Sequence, residues 1–587
     1  MKTKKYILFA IISLLISHTG CNDEAFLEEV PETFYTIENS FNNTDQVNAS
    51  VTNLYVHIRY WFQNDYFMKG MGTDVLDVPQ WRSSGNGYSN FNTWSPTHGT
   101  IKGIYDAFYQ LVSYANLTLS GAYAEHLNWD NEAERENIIA QAKFFRGLAY
   151  LTLGELYGGV PLVDQFITQP KYDFVRSSRE ETYRFAIQDL EEAAAGLPDY
   201  PQEAGKVAKG AAYHYLAEAY LALATDQNNN SALLEKSIEY AGKTMGLHRL
   251  MTERFGTRAT EDAARPMNGI NAYYPDGDVF FDLFQRGNLD YAEGNTEALW
   301  TLQNDFEVWQ EFKGNNLLEY SRNFSPVFRD AYWKPEYREE GAHDSPWNSN
   351  IPAEYAGGNV SAYLGGRGIS GVAPTNYVID EIWKDKFAKD LRNSSANIRR
   401  ELICLDQKHS MFGKVVTRDM LDESRVDRYY PIWTKFAPID DWGYEDLEAG
   451  GNRSNMYRDE YACRVAETYL IRAEAYLRAG DKNKASEDIN TLRRRARCEY
   501  MITPNEVSIG LILDERAREL FIEERRWCTL MRMDGITAAD QIQKHAYYWA
   551  DYPVSGQSPI EWKLFPIPQS VIDANLNAVL EQNPGWK

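Results

Sequence analysis

The chain has 587 residues, of which 44% are hydrophobic and 25% charged, a composition long and apolar enough for a large folded core rather than a disordered chain. Acids outnumber bases, 84 Asp+Glu against 60 Lys+Arg, for a net charge of −24. A surface of that sign repels phosphate backbones and polyanions, which argues against nucleic acid as a partner. The 15 Trp and 39 Tyr outnumber the 26 Phe, so many rings carry a polar tip that stays solvated while the face makes contact.

Residues 1–21 read as a leader. Lys2, Lys4 and Lys5 precede an apolar run from Tyr6 to Ile16, too short to span a bilayer, and Thr19 and Gly20 lead to Cys21. This arrangement resembles a bacterial lipobox, which implies cleavage before Cys21 and lipidation of that residue. Asn22, Asp23 and Glu24 follow at once and resemble the surface-export signal of outer-membrane lipoproteins. That places the protein on the extracellular face of the outer membrane, with lipid as its anchor. Four further cysteines, Cys404, Cys463, Cys498 and Cys528, match no zinc or redox spacing; they permit disulfides without requiring them.

Helical periodicity dominates two parts of the chain. The predicted helices are Glu132 to Tyr157, Glu180 to Leu197, Lys206 to Leu223, Ser231 to Met245, Arg464 to Ala479 and Asn483 to Arg497. The first stops at Gly158-Gly159 with Pro161 beyond, as a glycine terminus followed by proline should. Ala211, Ala212, Ala217 and Ala219 alternate with Tyr and Leu, a pattern similar to tetratricopeptide helix pairs, where small residues let neighbouring helices approach. Between about 251 and 460 the periodicity thins, Gly, Pro, Asn and single aromatics accumulate, and one strand is predicted over Ala298 to Leu302. A stretch at 73–96 has the same loop-like texture. The expected regions are therefore 22–250, with the aromatic loop at 73–96; a loop-rich, ligand-facing 251–460; and a helical 461–587.

Catalytic signatures are missing from the sequence: it has no nucleophile elbow, no H-E-x-x-H helix and no phosphate-cradling loop. Its nine His, among them His57, His98, His126, His214 and His343, show no metal-ligand spacing. The chain is expected not to be an enzyme and to need no cofactor, with a structural Ca²⁺ in the loops left open. The aromatic loops say more. A sugar offers C–H faces and hydroxyl rims, so its site needs flat rings together with Asn, Asp and Arg. The segment TDVLDVPQWRSSGNGYSNFNTW supplies Asp74, Asp77, Trp81, Arg82, Asn86, Tyr88, Asn92 and Trp94; the middle region adds Trp309, Trp333, Trp347, Tyr363 and Arg367. The residues expected to contact ligand are Trp81, Arg82, Trp94, Asp74, Trp333 and Arg367, and the expected ligand is a neutral oligosaccharide.

Several segments, taken in order, resemble the SusD/RagB family of surface lipoproteins across nearly the whole chain. They are the Cys21 lipobox, AKFFRGLAYLTLGELYGGVPLV at Ala142 to Val163, KGAAYHYLAEAYLAL, and NTEALWTLQ at Asn295 to Gln303. APTNY at Ala373 to Tyr377, RVAETYLIRAEAYLRAGDKNKASEDINTLRRRAR, ILDERARELFIEERRWCTLMR and the closing LFPIPQSVIDANLNAVLEQNPGW complete the series. Trp527-Cys528 departs from the family's usual aromatic-Asp, a change expected to be structural. The resemblance implies an all-α fold with four tetratricopeptide-like helix pairs, a large loop-rich region and few short strands. It also implies a partner, a TonB-dependent outer-membrane transporter that receives the captured oligosaccharide. Peptide capture by the same architecture is the alternative. The Arg/Glu-rich stretch around Glu515 to Arg526 is expected to form salt-bridged solvated or interhelix faces rather than a site.

Overall fold

A computed structural model describes residues 41–64, 66–77, 94–256, 259, 277–304, 323–347, 368–422, 429–436, 458–533, 538–545 and 564–586. Cys21 and the leader lie outside the described residues. Eight long helices form four consecutive pairs: α1 (Thr44–Asn64) and α2 (Gly99–Ala122), α3 (Glu132–Tyr157) and α4 (Arg179–Gly196), α5 (Lys209–Asp226) and α6 (Ser231–Leu247), α7 (Val465–Arg478) and α8 (Lys482–Arg495). Each packs on the next in chain order, and α7 packs on α6 and α5 although the chain leaves α6 at Leu247 and returns at Val465. α9 (Ile509–Leu520) and α10 (Arg526–Arg532) close the inner side, α9 against α7 and α10 against α3. The fold is all-α, a helix-pair scaffold with a few short strands.

Local chemistry sets these boundaries. The Asn131 side chain accepts from the Ala133 N–H at 3.1 Å, and Glu132 and Glu134 sit in the first turn of α3, where the helix dipole favours negative charge. Ser178 and Glu181 form a capping box on α4. At the end of α3, Gly158 has φ +77° and Gly159 lies so close to Ser177 that a Cβ would sit 2.0 Å from its carbonyl oxygen. Only glycine fits that turn. Within α3, a Cβ on Gly147 or Gly154 would stand 2.8 Å from Leu190 or Tyr183 of α4, so these two positions let the pair close up. The predicted helices agree with α3 to α8 to within a few residues at each end. α1 and α2 were not anticipated: LYVHIRYWF and IYDAFYQLVSY are rich in β-branched and aromatic residues, whose strand preference masks the helical stripe.

The predicted strand is β2 (Ala298–Leu302), which pairs antiparallel with β8 (Glu460–Arg464). β1 (Leu76–Asp77) pairs with β3 (Ala373–Pro374), β4 (Ile398–Arg399) with β7 (Ile432–Trp433), and β5 (Leu402–Ile403) with β6 (Val415–Val416), all antiparallel. One continuous hydrophobic core runs from Leu54 to Ile567 and draws on all three regions expected from the sequence. Cys404, Cys463, Cys498 and Cys528 are free and buried. Among the described residues, no helix is long and apolar enough to cross a membrane.

The Arg/Glu-rich stretch corrects part of its expectation: it is interhelical, but it is not solvated. Glu515, Arg516, Glu519 and Arg526 have no exposed surface. Glu519 accepts from Arg392 at 2.8 Å, from Arg464 at 2.7 Å and from Arg495. Burial would raise its carboxyl, but the Arg495, Arg464 and Arg392 charges hold it well below the usual carboxylate range. The network spans β8, α8, α9 and the 390s loop, so side chains far apart in sequence neutralise one another inside the protein.

Candidate functional site

The two-rung ladder of β1 and β3 fixes a meeting point of chain ends. Leu76 pairs with Pro374 and Asp77 with Ala373. Antiparallel geometry puts the exit of β1 and the entrance of β3 at the same end of the ladder. Beyond Asp77 the chain runs into 78–93. Just before β3, the Val372 and Ser370 N–H groups donate to the Asn323 and Ser325 carbonyls at 3.0 and 2.9 Å, and Asn323 follows the segment 305–322. Gly368, the first residue after 348–367, lies against Pro326, where a Cβ would come within 1.9 Å of the carbonyl oxygen. Phe436, which precedes 437–457, packs its ring on Phe324 with centroids 5.5 Å apart. Described residues flanking 78–93, 305–322, 348–367 and 437–457 therefore meet at one small frame.

That frame is held rigidly. The Tyr430 hydroxyl reaches the Phe324 carbonyl at 3.0 Å and the Ser370 Oγ at 3.2 Å. Ser370 is buried at φ +50°, a left-handed conformation that a non-glycine residue adopts at a cost of order 1–3 kcal/mol, so its surroundings enforce it. The Asn323 side chain donates to the Tyr66 hydroxyl at 2.8 Å, and the Tyr66 ring meets Phe324 edge-on.

The expected contact residues divide into two groups. Trp81, Arg82 and Arg367 lie outside the described residues, as do Trp309 and Tyr363. Asp74, Trp94 and Trp333 are described, and all three are buried rather than facing a ligand. Asp74 is the correction with the clearest cause: Arg526 Nε donates to it at 2.9 Å and Gln541 at 3.0 Å, while its backbone carbonyl accepts from the Thr375 hydroxyl. Burial would raise its carboxyl, but the charge and hydrogen bonds of Arg526 and the bond from Gln541 hold it below the usual range. Trp94 is 6% exposed and lies among Phe67, Trp527 and Phe565, with ring centroids 5.6–5.8 Å away. Both ends of the aromatic loop are thus stapled to the 526–527 pair, Asp74 to Arg526 and Trp94 to Trp527. Trp333 has no exposed surface and stacks on His409 at 4.5 Å. Trp347 donates its indole N–H to the Ile403 carbonyl at 2.7 Å and stacks on Tyr429. A loop tryptophan packed underneath holds its loop down from inside, which composition alone does not distinguish from one that faces outward.

The sequence reading passed over the residues that build the frame. Gly368 and Gly371, spaced around Ser370, are the signal in the sequence that points to them. Among the described residues, no group of three or more His, Cys, Asp or Glu is arranged to hold a metal ion.

The all-α helix-pair scaffold with few short strands is the class of protein that comparisons with known proteins also indicate. A family model described as the SusD family matches residues 418–586, and one described as starch-binding associating with outer membrane matches residues 25–221. SusD-like protein P2 of Formosa agariphila is 24% identical over 563 residues, 90% of this chain and 91% of that protein. The starch-binding protein SusD of Bacteroides thetaiotaomicron is 38% identical over 125 residues, 21% of each chain. The solved structure of a laminarin binding SusD-like protein shares the fold at a TM-score of 0.61 and 20% identity, covering 93% of this chain and 100% of that one. The two models together match more than half of the chain, which belongs to the SusD/RagB family.

Proposed function

We propose that the protein is a cell-surface glycan-binding lipoprotein. It captures neutral oligosaccharides and delivers them, without reacting them, to a partner TonB-dependent outer-membrane transporter. The observation that carries this reading is that Asp77, Asn323, Gly368 and Phe436, the described residues next to 78–93, 305–322, 348–367 and 437–457, meet at one frame, because two of those segments bear Trp81, Arg82 and Arg367. Flat rings and guanidinium donors on segments fastened to a common base suit a ligand with apolar faces and hydroxyl rims. Asp74 and Trp94 serve this site by anchoring the loop that carries Trp81 and Arg82. The starch-binding and laminarin-binding relatives point the same way. Cys21 supplies the lipid anchor on the extracellular face.

Calorimetric titration of the mature chain with soluble glycans tests the reading. Trp81→Ala is expected to weaken glycan binding by about 1–3 kcal/mol, the usual loss of a stacking partner. Unchanged affinity would remove Trp81 from the site. Binding of peptides in place of every glycan would convert the reading to peptide capture.

A further inference from the structure

A cavity of about 600 Å³ opens between α2, the extended segment 161–175 and α11 (Gln569–Ala574). This is the volume of a small-molecule site. Its walls carry Tyr105, Tyr109, Tyr172, Phe174, Val571 and Leu580. Tyr172 is 45% exposed, and among the described residues its hydroxyl has no hydrogen-bond partner.

The walls are fixed without any ligand. Tyr109 donates to the Pro161 carbonyl at 2.7 Å, and the Asn116 amide donates to the Val163 and Gln165 carbonyls at 2.9 and 3.1 Å. On the far side, the Asn575 side chain clasps the Phe174 backbone at both its N–H and its carbonyl, while the Asn577 N–H donates to the Tyr172 carbonyl. Charge on the rim cancels locally: Lys102 pairs with Asp106, and Lys171 with Asp173 at 2.7 Å. The Ser113, Gln165 and Ser570 side chains are uncharged donors and acceptors that make no hydrogen bond among the described residues. An open ring, neutral hydroxyl and amide groups and no unbalanced charge select an uncharged, amphipathic ligand.

Position adds a second argument. The groove begins beside the exit of the aromatic loop, because the Gln569 N–H donates to the Pro96 carbonyl at 2.9 Å and Ser570 and Val571 line the cavity. From there it follows α2 from Lys102 to Asn116, about 21 Å at the helical rise.

We propose that this groove is a second carbohydrate site, in which Tyr172 stacks on a neutral sugar and Ser113, Gln165 and Ser570 meet its hydroxyls, so that a long glycan held at the aromatic loop gains a further foothold on the scaffold. The inference rests on the carbohydrate-binding reading above. Two linked footholds raise overall affinity for a polymer more than either does for a short fragment.

Affinity electrophoresis of the mature chain in gels of soluble starch, laminarin, xylan and mannan tests it. Tyr172→Ala is expected to retain the fold, since the residue is half exposed, and to weaken binding to the retarding polysaccharide by about three- to tenfold. In a Trp81→Ala background the residual retardation is expected to disappear when Tyr172→Ala is added. Undiminished retardation of Tyr172→Ala, with a wild-type thermal melting point, would overturn the second site while leaving the first intact. Wild-type protein retarded by none of the four would defeat the carbohydrate reading and this inference with it.

Discussion

Single buried carboxyls in this protein have been set in opposite directions by their surroundings. Asp74 is kept charged by Arg526, whereas Glu155 of α3 is pushed up to about 7 by burial and by the neighbouring Glu218, against the pull of Arg525 and Arg532. Arg525 stands 3.5 Å from the Glu155 carboxyl but donates at 2.7 Å to Glu218. Glu155 is thus the acid of the cluster that yields its charge. A carboxyl raised by folding contributes stability that is fully present below its ordinary value and lost as pH rises through its folded value. Glu155 therefore draws the melting temperature down as pH rises toward about 7, against the opposite pull of His214 and His248, which burial lowers to about 4, and Glu155→Gln is expected to remove that downward component from the slope. Glu467, also raised to about 7, leaves part of the slope in place. A pH series of thermal melts on the two proteins checks this, and identical slopes would exclude Glu155 as its source.

At the scale of elements, close approach between helices depends on what is missing from a side chain. Gly154 faces Tyr183 across the α3–α4 contact, while Gly242 of α6 has nothing within 4 Å of where a Cβ would sit. Gly154→Val is expected to lower unfolding free energy by about 1–3 kcal/mol through overpacking, and Gly242→Ala to leave it unchanged or raise it slightly. Chemical denaturation of both variants separates the two cases. The same scale shows what the sequence made legible. Caps, glycine stops and alanine-rich stripes are local signals, so α3 to α8 and β2 were readable with their limits. The frame of the candidate site was not, because Asn323, Ser370, Tyr430 and Asp77 are brought together by pairings between distant segments. Burial hid the rest. Asp74, Trp94 and Trp333 have the side chains of a sugar site, and only Arg526, Trp527 and His409, far away in the chain, show that they are anchors.

Across the whole molecule, the interior is closed by charge as much as by hydrocarbon. Glu519 receives three arginines from three different parts of the chain, and removing its charge takes away the one acid all three share, leaving Asp390, Glu515, Glu297 and Glu523 to balance them in a buried site. Glu519→Gln is expected to cost about 3–5 kcal/mol, read as a lowered midpoint in urea; a midpoint equal to wild type would show that solvent or rearrangement replaces the carboxylate. The return of α7 to α6 and α5 carries a further consequence, for biogenesis. The first six helices are complete by Leu247, yet the surface of α6 that will receive α7 stays bare until Val465 has followed. Synthesis proceeds from the N-terminal end, so this half-finished solenoid stands with an uncovered flank while 248–464 is made, and a holding chaperone has its natural target there.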